Sequence, residues 1–334
     1  MNSKQLDQAA VSGAARGAAC IGVLCIDIAT SLGKRYGERW SSYIAASYVK
    51  YVEGAGGCVV PIWIGRDRAY YERTMRKING VVLPGGAVFI DDADLRDNLR
   101  NDCVKSASHI YELAVEKNKK GEYFPIWGIC LGFQLLLINA ADSKDVRCDC
   151  QPMFQALPLK LAKDYRESVW LKQLPDDMAE DMQRVPFACH QHRFCITEDN
   201  LGNHGIRDDW HVLATCSDAE QLSFVTLIEH RKYPFFGSQF HPERAAHEQL
   251  FAKTDNCASA HVRCCIEKSQ YLANVFLELC RRNGNRFDSN QEMQRHLIWN
   301  WNPEFTGKWE DSNWVQCYLF EKDIDYPREA EVTS

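Results

Sequence analysis

Three short stretches carry residue types that could do chemistry together. Gly128-Ile129-Cys130-Leu131-Gly132 sets a cysteine between glycines two positions to either side. An apolar run from Phe124 leads in, and a helix-like apolar segment, Leu135 to Ile138, leads out. This is the pattern of a nucleophile elbow with Cys in place of Ser. A strand ends, the chain reverses, and a helix begins, so side chains at the flanking positions would clash. The helix N-terminus aims free N–H groups at the thiol, an arrangement that favours a thiolate. A buried cysteine in an ordinary βα turn fits the same stretch, so the reading depends on partners.

His241-Pro242-Glu243 offers them. A cysteine nucleophile needs a base to take its proton and a group to hold that base. In an extended segment residues two apart point the same way, so Glu243 could fix the tautomer of His241 while His241 faces Cys130. Acyl transfer also needs donors for an oxyanion. The N–H of Leu131, next after the nucleophile, is one by geometry. Pro84-Gly85-Gly86 can supply another through Gly85 or Gly86, because glycine lets the backbone approach a substrate closely.

The elements that must position these residues follow from hydrophobic periodicity. Strands are expected at 21–28, 58–63, 81–83 and 124–129. Helices are expected between them: one carrying Tyr43, Ala46, Tyr48, Val49 and Val52, one over about 68–78, and one within 94–118. A polar loop holds Gly33 to Gly37. Residues 224–229 and 235–240 read as paired strands joined by a basic turn, and a strong helix spans about 262–283. The middle, 142–222, reads as less regular, with short strand-like runs and a polar helix near 176–183. The tail from Asn285, with Trp299, Trp301, Trp309 and Trp314, is expected to pack over the body. Strands alternating with helices predict an α/β fold: a mainly parallel sheet with helices on both faces and the site at the carboxyl ends of the strands. One domain, 20–321, lies between a disordered segment, 1–19, and a loose tail, 322–334.

Composition narrows the class. The 334 residues carry a net charge of −6, and no Lys/Arg run suggests a nucleic-acid surface. No apolar segment approaches a membrane span. Fifteen cysteines, an odd number, show no disulfide framework, and no Asn-x-Ser/Thr sequon occurs. Residues 1–20 lack the basic start and apolar block of a secretory signal. Together these features point to a reducing compartment such as the cytoplasm. Cys148-Asp149-Cys150, Cys264-Cys265 and the His190/His192 pair lack the spacing of paired ligand knuckles, so neither a metal nor a cofactor is expected.

Pro84-Gly85-Gly86, the cysteine elbow and His241-Pro242-Glu243, in that order, resemble the class I glutamine amidotransferase superfamily. Residues 43–51, 78–86, 123–128 and 232–234, and the tail near Thr306-Gly307 and Gln316-Cys317-Tyr318, are more closely similar to the γ-glutamyl hydrolase family within it. The resemblance implies a class I glutamine amidotransferase-like fold and a cysteine hydrolase that cuts γ-glutamyl amides of folate poly-γ-glutamates through a Cys130-His241-Glu243 triad, with no cofactor. It carries substrate contacts to Tyr43 and His192, with His190 as the alternative and Arg193 as a neighbouring charge. It also implies a lysosomal, vacuolar or secreted protein and a homodimer. Two positions depart from the pattern: Gln134 stands where the hydrolases usually have Glu, and Phe194 where they often have Trp. Both bear on how substrate is held. A non-catalytic glutamyl-ligand binder and a glutaminase-type amidotransferase subunit are the alternatives.

Overall fold

The computed structural model describes residues 18–88, 90, 101–249 and 261–328. Strands β1 (Ala19–Leu24), β2 (Ile26–Asp27), β3 (Trp40–Ala45), β4 (Gly57–Ile62), β5 (Gly80–Leu83) and β6 (Ile126–Ile129) form the first part of the chain. They are followed by β7 (Cys148–Leu157), β8 (Lys160–Leu161), β9 (Ala188–Cys195), β10 (Trp210–Ser217), β11 (Ser223–His230), β12 (Phe235–Ser238) and β13 (Cys317–Glu321). The main sheet has the order β4-β1-β5-β6-β12-β11-β10-β8. From β4 to β12 all pairings are parallel; β11, β10 and β8 continue it antiparallel. The central strands are buried along their whole length and rich in Val and Ile, as strands covered on both faces must be.

Helices α1 (Thr30–Tyr36), α2 (Ala46–Gly54), α3 (Arg68–Met75), α4 (Asp102–Lys119), α5 (Leu131–Ala141), α6 (Asp176–Arg184), α7 (Glu198–Asn203), α8 (Arg244–His247) and α9 (Arg263–Cys280) complete the frame. Adjacent strand residues reveal the two layers. The Trp127 ring packs on Tyr51 of α2 and Phe276 of α9, at 5.7 and 5.4 Å between centroids. Its neighbour Gly128 faces α5, where an added Cβ would lie 2.5 Å from the Gly132 carbonyl oxygen. Successive strand side chains point to opposite faces, so α2 and α9 cover one face and α5 the other. The buried Asp27 carboxylate accepts the Asp102 and Cys103 N–H groups at 2.9 Å each and so caps α4.

Two smaller sheets flank the main one: β13-β3-β2 and the ribbon β7-β9. They account for most departures from the expected elements. Tyr43 lies on strand β3, not on a helix, and the helix begins at Ala46. The Gly33–Gly37 loop is largely helix α1. The middle of the chain is more regular than expected, since 148–157 and 188–195 pair as an antiparallel ribbon. The helix expected within 94–118 begins at Asp102, and 94–100 lie outside the described residues, as do 1–17 and 329–334. Strand β1 starts at Ala19, inside the segment expected to be disordered. The tail is not loose as far as 328. The Tyr326 hydroxyl donates to the Pro61 carbonyl at 2.7 Å and meets the Tyr70 hydroxyl at 3.0 Å, and the Ile324 carbonyl accepts from Arg66. The tail tryptophans do not all pack down: Trp301 meets Trp63 edge to face, but Trp299 is 65% exposed. No described helix is long and apolar enough to cross a membrane.

Candidate active site

Strands β5, β6 and β12 are neighbours, and their carboxyl ends carry the three stretches singled out in the sequence. Register sets Leu83 beside Gly128, and Gly128 beside Gly237. Pro84, Cys130 and His241 therefore emerge at one end of the sheet.

Cys130 occupies the turn between β6 and α5 with φ 52° and ψ −103°. Positive φ with that ψ is a sparsely populated conformation for a residue with a side chain, costing on the order of 1–3 kcal/mol. The surroundings hold it there. The Cys130 N–H donates to the Ser238 carbonyl at 2.8 Å, and the Gly132 N–H to the Pro84 carbonyl at 3.1 Å. A Cβ on Gly132 would fall 1.9 Å from the Leu83 carbonyl oxygen. The two glycines of the elbow are thus the places where helix and strands meet backbone to backbone. Cys130 Sγ lies 3.8 Å from the Gln191 carbonyl oxygen of β9.

His241 and Glu243 lie just beyond β12. His241 Nδ1 is 2.8 Å from Glu243 Oε1, and both residues are buried. Cys130 bears on the same ring. Burial lowers the basicity of His241, but the negative charges of Cys130 and Glu243 outweigh it and raise its pKa to about 10. The His241 N–H donates to the Cys189 carbonyl at 2.8 Å, so the ribbon strand β9 meets both the Cys130 side and the His241 side of the site.

The glycines at 85 and 86 close the third edge. A Cβ on Gly85 would come within 2.6 Å of His241 Cε1 and 2.7 Å of the Tyr48 hydroxyl. Gly86 backs onto Ile26, 2.7 Å from the same construction. The Gly85 N–H donates to Tyr48 Oη at 2.8 Å. This amide therefore has a protein partner, which separates it from Gly86 as a candidate oxyanion donor.

The expected substrate contacts divide. Tyr43 is buried, its ring 4.8 Å from that of Trp314, and its hydroxyl has no hydrogen-bond partner among the described residues. Burial first, and then negative charge at Cys317, Cys103, Asp27 and, last, Cys130, push its phenol pKa well up. Gln134, on the first turn of α5, is buried. Its Nε2 donates to the Phe194 carbonyl at 3.0 Å and to Gln239 Oε1 at 3.3 Å. The Phe194 ring turns away to Arg147 and Arg193, 4.7 and 5.6 Å from its centroid. Phe194 thus meets Gln134 through its backbone, not its ring. His192 is buried with both ring nitrogens engaged: Nε2 lies 2.9 Å from His190 Nδ1, and Nδ1 lies 3.6 Å from Cys150 Sγ. His190 is fully buried, and burial, then positive charge at His192 and His241, holds its pKa well below the usual histidine value. Arg193 is exposed and pairs loosely with Asp149 at 3.5 Å. Among the described residues no group of three or more His, Cys, Asp or Glu gathers to hold a metal, and the described cysteines are all free.

Sequence patterns missed Tyr48 and the ribbon carbonyls of Cys189 and Gln191 as parts of the site. Tyr48 reads as one more apolar position on a helix face, and a carbonyl has no sequence signature.

The model of the family described as Peptidase C26 matches residues 19–243. The chain belongs to this family. The Peptidase C26 match spans β1 to Glu243 and so contains all three site stretches. Among relatives, the gamma-glutamyl hydrolase of Homo sapiens is 33% identical over 310 residues, covering 90% of this chain and 89% of that protein. Gamma-glutamyl hydrolase B of Dictyostelium discoideum is 31% identical over 303 residues, covering 90% and 82%. Gamma-glutamyl hydrolase 1 of Arabidopsis thaliana is 26% identical over 303 residues, with the same coverage. The chain is an enzyme of this hydrolase type.

Proposed function

We propose that the chain hydrolyses the γ-glutamyl amide bonds of folate poly-γ-glutamates through a thioester on Cys130. The observation that carries this reading is the meeting of a cysteine in a left-handed elbow with a buried His241–Glu243 pair at 2.8 Å, in a chain similar along its length to gamma-glutamyl hydrolases. Cys130 attacks the γ-carbonyl as thiolate. The Leu131 N–H, at the N-terminus of α5, and the Gly86 N–H hold the developing oxyanion. Gly85 is assigned elsewhere, since its N–H is donated to Tyr48. His241, carried as imidazolium, gives its proton to the leaving amine as the C–N bond breaks. It then takes a proton from the water that attacks the thioester; collapse of the adduct breaks the C–S bond, expels the Cys130 thiolate and frees the acid, which sheds its proton to solvent. Glu243 keeps the proton on Nδ1 and turns Nε2 to the reacting atoms. Tyr43, whose buried hydroxyl has no partner among the described residues, is kept as a substrate contact, whereas Gln134 Nε2 and both His192 ring nitrogens are already engaged within the protein.

The test is release of glutamate or glutamyl peptides from folate pentaglutamate by wild type and by Cys130→Ala. Wild type should release product, and the variant should lose at least about a thousandfold in rate, as loss of a nucleophile does. Unchanged activity in the variant would overturn the nucleophile. No release by wild type at any pH from acid to neutral would overturn the activity.

A further inference from the structure

Tyr48 sits in the first turn of α2, with its ring buried and its hydroxyl at the point where the glycine loop meets the His241–Glu243 pair. Its oxygen accepts the Gly85 N–H at 2.8 Å and lies 3.3 Å from His241 Nδ1. The hydroxyl has one proton to give, and its acceptor can be worked out. A carboxylate only accepts, so the 2.8 Å contact between His241 Nδ1 and Glu243 Oε1 requires the proton on Nδ1. Nδ1 then cannot accept from Tyr48. The acceptor that remains in the pair is the Glu243 carboxylate, whose charge bears on the Tyr48 hydroxyl. Its Oε2 is buried and has no partner among the described residues.

Resting on the function proposed above, we propose that Tyr48 is a positioning residue: its hydroxyl couples the Pro84-Gly85-Gly86 loop to the Glu243 carboxylate, so that the oxyanion donors and the His241 tautomer are set together. The order of donation is Gly85 N–H to Tyr48 Oη, Tyr48 O–H to Glu243, and His241 Nδ1–H to Glu243, which leaves Nε2 for Cys130. The packing at residue 85 supports the same coupling. A Cβ there would press on the Tyr48 hydroxyl, the His241 ring and, at 3.2 Å, Cys130 Cβ. The loop therefore cannot shift without Tyr48 and the histidine shifting with it. Tyr48 touches no reacting atom in this scheme; it acts through Gly85 and Glu243.

Tyr48→Phe in the full chain removes the hydroxyl and keeps the buried ring. With folate pentaglutamate we expect kcat to fall roughly 10- to 100-fold, somewhat less than loss of a direct oxyanion donor, while KM stays within about twofold, the mark of an interaction made in the transition state. In a double-mutant cycle with Glu243→Gln the two losses should be strongly non-additive. A Tyr48→Phe enzyme within twofold of wild type overturns the proposal, as does full additivity with Glu243→Gln. A rise in KM that accounts for the whole loss also overturns it, and would make Tyr48 part of the binding wall. Should Tyr48→Phe not fold, 3-fluorotyrosine at position 48 supplies a readout in folded protein. Its fluorine resonance should move on Glu243→Gln substitution, and a fixed resonance overturns the proposal. These outcomes are distinct from failure of the function itself, which is read in wild type and Cys130→Ala.

Discussion

At the scale of single residues the site depends on how one histidine balances burial against charge. Burial alone would leave His241 neutral. The Cys130 and Glu243 charges raise it to about 10 instead. In the proposed reaction His241 thus stays protonated through neutral pH, ready to act as an acid toward the leaving amine, and its loss of that proton would set the alkaline limb of activity. Glu243→Gln keeps the shape and an acceptor for Nδ1–H but removes one of the two charges. The expected result is an alkaline limb of kcat/KM displaced to lower pH than wild type, together with a lower kcat. The pH–rate profile checks this, and an unmoved limb would mean that Glu243 does not hold the imidazolium. Stability follows the same sign. A histidine raised from 6.5 in the unfolded chain to about 10 in the fold stabilises fully below pH 6.5, and that contribution is lost as pH rises through 10. The variant should lose it at lower pH.

At the scale of elements the elbow is a junction of backbones. Gly132→Ala would place a methyl 1.9 Å from the Leu83 carbonyl oxygen, a rigid strand atom that cannot rotate away. We expect a loss of at least about 3 kcal/mol, the upper range for overpacking, and loss of activity with it. Gly202→Ala is the control. This glycine lies in α7 with nothing within 4 Å of its would-be Cβ, and its φ is not positive. It should gain about 0.4–1 kcal/mol through reduced freedom of the unfolded chain. Urea unfolding of both variants tests the contrast. The sequence made this junction legible because glycine spacing around a cysteine is a direct imprint of close backbone contact. The parallel strands were legible too, as short apolar runs stopped by Pro or Gly. What stayed hidden has physical reasons. Strand β3 runs into α2 without a capping side chain, since its N-cap is Ala45. Apolar positions continue across the boundary, so the helical spacing runs back over Tyr43. The β9 strand Ala188-Cys189-His190-Gln191-His192-Arg193-Phe194-Cys195 is buried at polar positions such as His190 and His192, so the period-2 signal of a half-buried strand is missing. Tyr48 looked like core because a helix face and a hydrogen-bonding site demand the same burial.

At the scale of the whole molecule the site is closed by pieces from distant parts of the chain. The main sheet contributes Cys130, His241 and Glu243, the β13-β3-β2 sheet contributes Tyr43, and the ribbon contributes the Gln191 carbonyl. The tail locks these together. Strand β13 pairs with β3 along 317–321, and Trp314 stacks on Tyr43. The Val315 N–H donates to Glu248 Oε2 at 2.6 Å, and the Arg244 guanidinium, one residue after Glu243, donates to the Asn313 carbonyl at 3.1 Å. Glu248 is the buried charge in this clamp. Burial raises its carboxyl pKa above 4.5, in spite of opposing contributions from Arg244, the Val315 N–H and the Ser47 hydroxyl, and the Glu243 charge raises it further. The folded state therefore holds the Glu248 proton more tightly than the unfolded chain. Its contribution to stability is fully present below pH 4.5 and is lost as pH rises through the folded value. Glu248→Gln keeps an oxygen acceptor for Val315 and removes the charge that neutral pH imposes. Because the raised pKa already includes the attraction of Arg244, removing the charge should be favourable on balance. The variant should melt at a higher temperature than wild type near pH 7, and the gap should close as pH falls below 4.5, where the wild-type carboxyl is protonated in both states. Thermal melts across that range test it. A variant less stable at neutral pH would mean that the attraction of Arg244 for the Glu248 charge, rather than the backbone of 313–315, is what fastens the tail over the site.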